Sequence, residues 1–289
     1  MAQKRTDLAQ EAHELWKEGV GKTTRLSGVR AEDRELEGFA VHRVSILDEE
    51  GAAALGKPIG QYVTVELDGL LRREEDAFSR AIHALAHLLE SMVPAEGTAL
   101  VAGLGNRAIT PDLVGPLAAE RTLVTRHLVE QLPVQFGQMR PVCAIAAGVL
   151  GTTGVESGEL ADSLCKRLQP DLVIAVDALA SRSLSRVCTT IQIADTGITP
   201  GSGVGNARKA LNRETLGVPV IALGVPTVVD GATLAQELGA HAGRDLAGVL
   251  VTPKDIDALM TELSKIIGYG INACLQEGLS VADMDYFLG

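Results

Sequence analysis

Residues 171–179 read DLVIAVDAL: five apolar residues in succession, then a carboxylate at Asp177. An unbroken apolar run of this length, with no helical spacing, predicts a strand covered on both faces rather than one with a wet side. Runs of the same kind recur on either side. TALVAGLG (98–105) and PVCAIAA (141–147) precede it, and RVCTTIQIAD (186–195), VPVIALG (218–224) and GVLVT (248–252) follow. Helical periodicity occupies the intervals: 7–18, the stretch from 74 to 93, 113–132, 157–168, 231–240 and 254–276. Strands alternating with helices predict an α/β fold, a mainly parallel sheet with helices on both faces. Two N-terminal segments, GFAVHRVSIL (38–47) and QYVTVEL (61–67), instead alternate polar and apolar residues. They are expected to pair as an extra edge hairpin.

The chain has 289 residues, 46% of them hydrophobic, which suffices for one large core. No linker, repeat or low-complexity tract divides it, so a single domain is expected. The net charge of −11 lacks the basic footprint that neutralising phosphates requires, so no direct nucleic-acid binding is expected. No apolar run reaches membrane-spanning length, and MAQKRTDLAQEAHELWKEG (1–19) is charged where a signal peptide needs an apolar stretch. A cytoplasmic protein without membrane contact is the expectation. Cys143, Cys165, Cys188 and Cys274 lie far apart in apolar segments and read as reduced core thiols.

In open α/β sheets ligands bind outside the carboxyl ends of the strands, and this shortens the list of interesting acids. Asp112 lies in the loop GLGNRAITPDLVGP (103–116), Asp177 follows LVIAV, Asp195 follows TTIQIA and Asp230 follows VPTVV. A carboxylate ending so apolar a strand costs free energy unless it is paired or has a chemical task. For Asp112 the plainer role is capping the next helix. Two carboxylates at one sheet edge could share a proton, one taking a proton from attacking water while the other donates to the substrate.

The stretch DTGITPGSGVGN (195–206) carries two misleading patterns. A pepsin-like site would need a second Asp-Thr-Gly in a second β-rich lobe, and only one copy exists here. The glycine run has Asn206 where the dinucleotide fingerprint has its third glycine, and no P-loop lysine follows. The stretch reads as a loop in which Asp195, Gly201, Gly203 and Gly205 support the site, its backbone approaching a bound peptide closely.

RTDLAQEA (5–12), GLGNRAITPDLVGP, LVTRHL (123–128), RPVCAIAAGVLGTTGVES (140–157), DLVIAVDALASRS (171–183), the block TTIQIAD through GVPTVVD (189–230) and VTPKDID (251–257) follow one another as in the germination protease family, which the chain closely resembles. The resemblance implies an endopeptidase that begins degrading small acid-soluble DNA-protecting spore proteins during germination, in the cytoplasm of the forespore or spore core. It implies an atypical aspartic peptidase with Asp112 and Asp177 as the catalytic pair, a fold similar to the hydrogenase maturation proteases, a homotetramer, and no cofactor. In those related proteases the carboxylates at this edge bind nickel. No histidine lies in either motif here, and His127 reads as an exposed helix residue, so no metal site is expected. A metal-dependent maturation protease and a non-catalytic peptide-binding relative are the alternatives.

The family is made as zymogens cut after an acidic residue and before an apolar one. This implies a propeptide-like segment, 1–7, a processing bond between Asp7 and Leu8, and a peptidase domain, 8–289. Without processing, the same letters read as a helix start capped by Thr6 or Asp7. The chain departs from the family pattern in its short N-terminal segment and in the short stretch, 231–250, that joins GVPTVVD to VTPKDID.

Overall fold

The computed structural model describes residues 6–20, 26–202, 208–239, 246 and 248–288. Among the described residues, nine strands form one sheet. Its strands are β1 (Val29–Leu36), β2 (Phe39–Ile46), β3 (Gly60–Glu66), β4 (Ala99–Leu104), β5 (Val142–Gly148), β6 (Leu172–Ser181), β7 (Thr190–Ala194), β8 (Val220–Asp230) and β9 (Leu250–Val251). Their spatial order is β1-β2-β3-β7-β8-β6-β4-β5, with β9 beside the end of β8.

The α/β class holds, but the sheet is mixed. β5, β4, β6 and β8 pair in parallel, while β1, β2, β3 and β7 join them through antiparallel pairs. The N-terminal hairpin is β1 with β2. β3 pairs with β2 but also carries the sheet onward to β7, and the helix Glu49–Leu55 lies between β2 and β3 in sequence. β1 escaped the sequence reading because VRAEDREL has charge where a strand pattern needs apolar residues. That polarity suits an edge strand, which is guarded by charge against further pairing. The region 113–132 is not one helix. It divides into Val114–Glu120 and Arg126–Gln131, with Pro133–Phe136 beyond.

β6 explains the layering. Successive side chains leave a strand on opposite faces. Ile174 and Val176 enter a core shared with the helices Ala77–Glu90, Val114–Glu120 and Ile256–Leu275. Val173 and Ala175 enter a second core with Ala161 and Cys165 of the helix Ser157–Leu168. Further along that second face, Val44, Ile46, Tyr62, Ala194 and Ala222 pack on Ala9 of the first helix, Ala9–Val20, and on Leu55. The buried thiols of Cys165 and Cys188 and the half-buried ones of Cys143 and Cys274 are unbridged. Burial pushes Cys188 and Cys274 up to about 12, which leaves them protonated. Among the described residues no helix is long and apolar enough to cross a membrane.

Candidate active site

Asp177 does not end its strand; β6 continues to Ser181. The neighbouring strand ends instead, because the last pair between β4 and β6 is Gly103 with Val176. Asp177 is therefore the first β6 residue beyond the reach of β4. Being odd-numbered, it continues the face of Val173 and Ala175. Its register partner on β8 is Gly224, and Gly224 in turn faces Gln192 on β7. One row across the sheet thus holds Asp177, a glycine and Gln192 on a common face.

Asp112 reaches the same region from the loop after β4. It closes a short 3-10 turn, Thr110–Asp112, and its carboxylate caps no helix. Instead its Oδ2 accepts from the Asn106 N–H at 2.6 Å. Gly105, at φ +125°, lets the loop fold back so closely that a Cβ there would lie 2.1 Å from the Asp112 carbonyl oxygen. The helix that follows is pressed on the sheet through Gly103 and Gly115. A Cβ at Gly115 would meet the backbone oxygens of Leu104 and Val176 at 2.1 and 2.4 Å.

Asp177 is 6% exposed, and its Oδ1 accepts from the adjacent Ala178 N–H at 2.9 Å. Burial raises its pKa well above the usual carboxylate range, and the charges of Asp112 and then Asp7 raise it further. Burial also raises Asp112, partly offset by the Asn106 hydrogen bond. Two acids so placed favour a state in which a proton is retained between them.

The second acid acting on Asp177, Asp7, belongs to the chain's own N-terminal segment, which lies against the edge of β6 that β4 leaves open. The Asp7 N–H donates to the Ala180 carbonyl at 3.2 Å, and the Ala180 N–H donates back to Asp7 Oδ2 at 2.9 Å. Ser202 Oγ donates to Asp7 Oδ1 at 2.8 Å. The carbonyl of the Asp7–Leu8 peptide bond accepts from Lys57 Nζ at 3.0 Å and from Gln192 Nε2 at 3.3 Å. The same Gln192 amide accepts from the Ala9 N–H at 2.7 Å, and Leu8 is fully buried. The helix begins at Ala9, so Leu8 rather than Thr6 or Asp7 immediately precedes it, and Thr6 Oγ1 accepts instead from the Leu8 N–H at 3.0 Å, outside the helix. A cavity of about 240 Å³ adjoins this segment, lined by Asp7, Lys57, Tyr62, Leu179, Gln192 and Ser202 among others. Asp112 and Asp177 are outside its lining.

Asp195 is not beside Asp177. β7 runs antiparallel to β8, so its C-terminal end lies toward the start of the parallel strands: Ala194 pairs with Ala222, two residues before Gly224. The Asp195 carboxylate accepts from the Gln61 N–H at 2.7 Å and ties the loop to β3. The sequence showed a strand ending in Asp but not its direction. The loop returns all the same. Gly197 and Gly201 turn at φ +76° and +72°, and Ser202 arrives at Asp7. Gly203 and Gly205 lie outside the described residues. Asp230 caps the helix Gly231–Glu237 through the Ala232 and Thr233 N–H groups. His127 is exposed on its helix. Among the described residues no three His, Cys, Asp or Glu side chains group so as to hold a metal ion.

Lys57, Gln192 and Ser202 escaped the sequence reading. Gln192 had a signal, since TIQIA places one long amide among small and apolar strand residues, buried at 7% exposure. Lys57 and Ser202 sit in loops and had none.

Fold and site together describe an α/β protein that holds an acidic peptide segment beside a buried carboxylate, Asp177, and a half-buried one, Asp112. Comparison with known sequences places it: the germination protease family model matches residues 7–247, and the chain belongs to that family of peptidases. The germination protease of Clostridium perfringens is 44% identical over 98% of each chain. That of Caldanaerobacter subterraneus is 42% identical, again over 98% of both. That of Bacillus cytotoxicus is 45% identical, over 84% of this chain and 68% of its own. Among solved structures, a [NiFe] hydrogenase maturation protease, HycI from Thermococcus kodakarensis, aligns with 65% of this chain and 98% of its own at 21% identity and a TM-score of 0.41.

Proposed function

We propose that the chain is an endopeptidase in which Asp112 and Asp177 together activate water against a peptide carbonyl. The observation that carries this reading is the burial of Asp177 with Asp112 as the principal charge acting on it. The ionised partner takes a proton from water as its oxygen attacks the carbonyl carbon. The protonated partner donates to the carbonyl oxygen, giving a tetrahedral diol; the proton taken from water then passes to the leaving amine as the C–N bond breaks, while the other carboxylate takes a proton from a diol hydroxyl as it collapses to the carboxylic acid. Two protons enter the pair and two leave it over the cycle, so the pair ends as it began.

Membership of the germination protease family supports small acid-soluble spore proteins as the substrates, the spore core as the setting and a homotetramer as the working form. The Asp7–Leu8 bond is the expected processing site, with N-terminal sequencing after mildly acidic incubation as its check. A start at Leu8 is expected, and an unchanged N-terminus would count against it.

The test of the mechanism is incubation of a small acid-soluble protein with the wild type, Asp112→Asn and Asp177→Asn, read by mass spectrometry. Internal cleavage is expected from the wild type. Each variant, folded by circular dichroism, is expected to lose on the order of 10⁴-fold in rate, the scale at which removal of one member of a catalytic unit acts. Cleavage by both variants at the wild-type rate would sink the mechanism.

A further inference from the structure

The carbonyl oxygen of the Asp7–Leu8 bond takes two donors at once, Lys57 Nζ at 3.0 Å and Gln192 Nε2 at 3.3 Å. Lys57 also donates to the Thr6 carbonyl at 3.2 Å, and among the described residues it forms no ion pair. A half-buried lysine here gives its protons to neutral carbonyls. Burial lowers its pKa, and the charges of Asp7 and Glu11, beyond ion-pair reach, act against this. Away from water, a cation aimed at an oxygen acts more strongly on any charge that develops there.

Both donors are positioned by the fold. Lys57 follows the helix Glu49–Leu55, which Gly56 ends at φ +64°, and the Gly56 and Lys57 N–H groups both return to the Ala52 carbonyl. The Pro58 carbonyl beyond accepts from Tyr62 Oη at 2.9 Å. Gln192 lies inside β7, and its Oε1 accepts from the Ala9 N–H, which leaves Nε2 to donate. The bond is steadied from its own side too, since Thr6 Oγ1 donates to Glu11 and accepts from the Leu8 N–H. Gln192 shares its row and face with Asp177, with Gly224 between them, and Asp7 is the second acid acting on Asp177.

We propose that Lys57 and Gln192 are catalytic residues that stabilise the oxyanion: they bind the carbonyl oxygen of the bond to be cut and hold it as it gains charge. The proposal rests on the peptidase reading and on Asp7–Leu8 as the processing bond. A carbonyl oxygen offers two lone pairs, both taken here, and the tetrahedral oxygen offers a third. That third position receives the proton from the carboxylate pair, so the donors and the pair act on one oxygen without competing. Both bonds strengthen as charge develops, which lowers the barrier more than it lowers the energy of the bound state.

The experiment reads the carbonyl and the cleavage separately. In the full chain carrying Asp177→Asn, which keeps the bond whole, carbonyl carbon-13 aspartate with nitrogen-15 leucine marks only the four Asp-Leu bonds of the sequence for NMR. The Asp7–Leu8 signal is the one lost in Asp7→Asn. Lys57→Met is expected to move its carbonyl carbon upfield, the direction of a weakened hydrogen bond, while the Leu8 N–H, still held by Thr6, stays in place. With both acids intact, release of residues 1–7 under mildly acidic conditions is timed by mass spectrometry. Lys57→Met is expected to slow it on the order of 10²-fold, the scale of one lost oxyanion donor. Lys57→Arg, which retains a cation, should recover part of that rate. Gln192→Glu, which keeps the acceptor for the Ala9 N–H and loses the donor, should slow release as Lys57→Met does. An unmoved carbonyl carbon, a Leu8 N–H displaced along with it, or equal release from Lys57→Met and wild type, including none from either, would overturn the proposal. Slow release from Lys57→Met beside normal release from Asp112→Asn and Asp177→Asn would uphold these donors and sink the catalytic pair.

Discussion

Asp177 carries the largest electrostatic cost in the site, and that cost has a measurable sign. Its folded pKa is raised, so the folded state holds the proton more tightly than the unfolded chain does. Below the ordinary carboxylate range both states are protonated and the burial costs nothing. As pH rises through that range and above it, the unfolded chain gives up its proton first, and stability falls until the folded group ionises too. Asp177→Asn removes this term. Its melting temperature should exceed that of the wild type at neutral pH and converge with it in acid; a variant less stable at pH 7 than the wild type by thermal melting would contradict the assignment. At this scale the sequence was informative about the acids and silent about their partners. Asp177 stood out because a charge at the end of an apolar run needs a reason, and Asp112 because its loop leaves the carboxyl end of a strand. Lys57 and Ser202 did not, because a lysine or serine in a loop needs none, and only the return of the N-terminal segment to the β6 edge gives these two a contact to make.

At the scale of elements, what holds the two carboxylates in range is a helix laid almost on bare backbone. The helix Val114–Glu120 begins two residues after Asp112, and Gly115 lies against the oxygens of Leu104 and Val176, the residue before Asp177. A methyl group there has only backbone to displace. Gly115→Ala should destabilise by about 1–3 kcal/mol in chemical denaturation and lower turnover more than it weakens peptide binding; wild-type stability would show that the contact is looser than described. Farther from the site, Arg140 ties together the loop that leads into β4. Its Nε, NH1 and NH2 donate to the carbonyls of Gly97, Pro94 and Glu96 at 2.8, 2.8 and 3.2 Å. Arg140→Ala leaves those acceptors unpaired and should cost about 2–3 kcal/mol of unfolding free energy with a far smaller effect on cleavage per folded molecule. Nothing in RPVCAIAA marked this arginine, whose partners lie more than forty residues earlier in the chain. The glycines of GLGNR and DLVGP were visible, but their close approach became legible only with both elements in place.

For the molecule as a whole, the class of fold was legible because buried strands betray themselves by composition, and strand direction was not, because composition carries no direction. TTIQIAD looks the same whether it runs with β8 or against it. That ambiguity misplaced Asp195, and resolving it put Gln192 rather than Asp195 on the row of Asp177. The sheet that results has a parallel half that supplies the two carboxylates and an antiparallel half that supplies Gln192, and the N-terminal segment lies against both. Coupling between Asp112 and Asp177 is the physical core of the proposed chemistry. Carbon-13 NMR titration of the Asp177 carboxyl in the wild type and in Asp112→Asn measures it most directly. The expected result is a pKa well above the ordinary carboxylate range in the wild type that drops when the Asp112 charge is removed. An Asp177 pKa in the ordinary range, or one that is indifferent to Asp112→Asn, would contradict a shared proton.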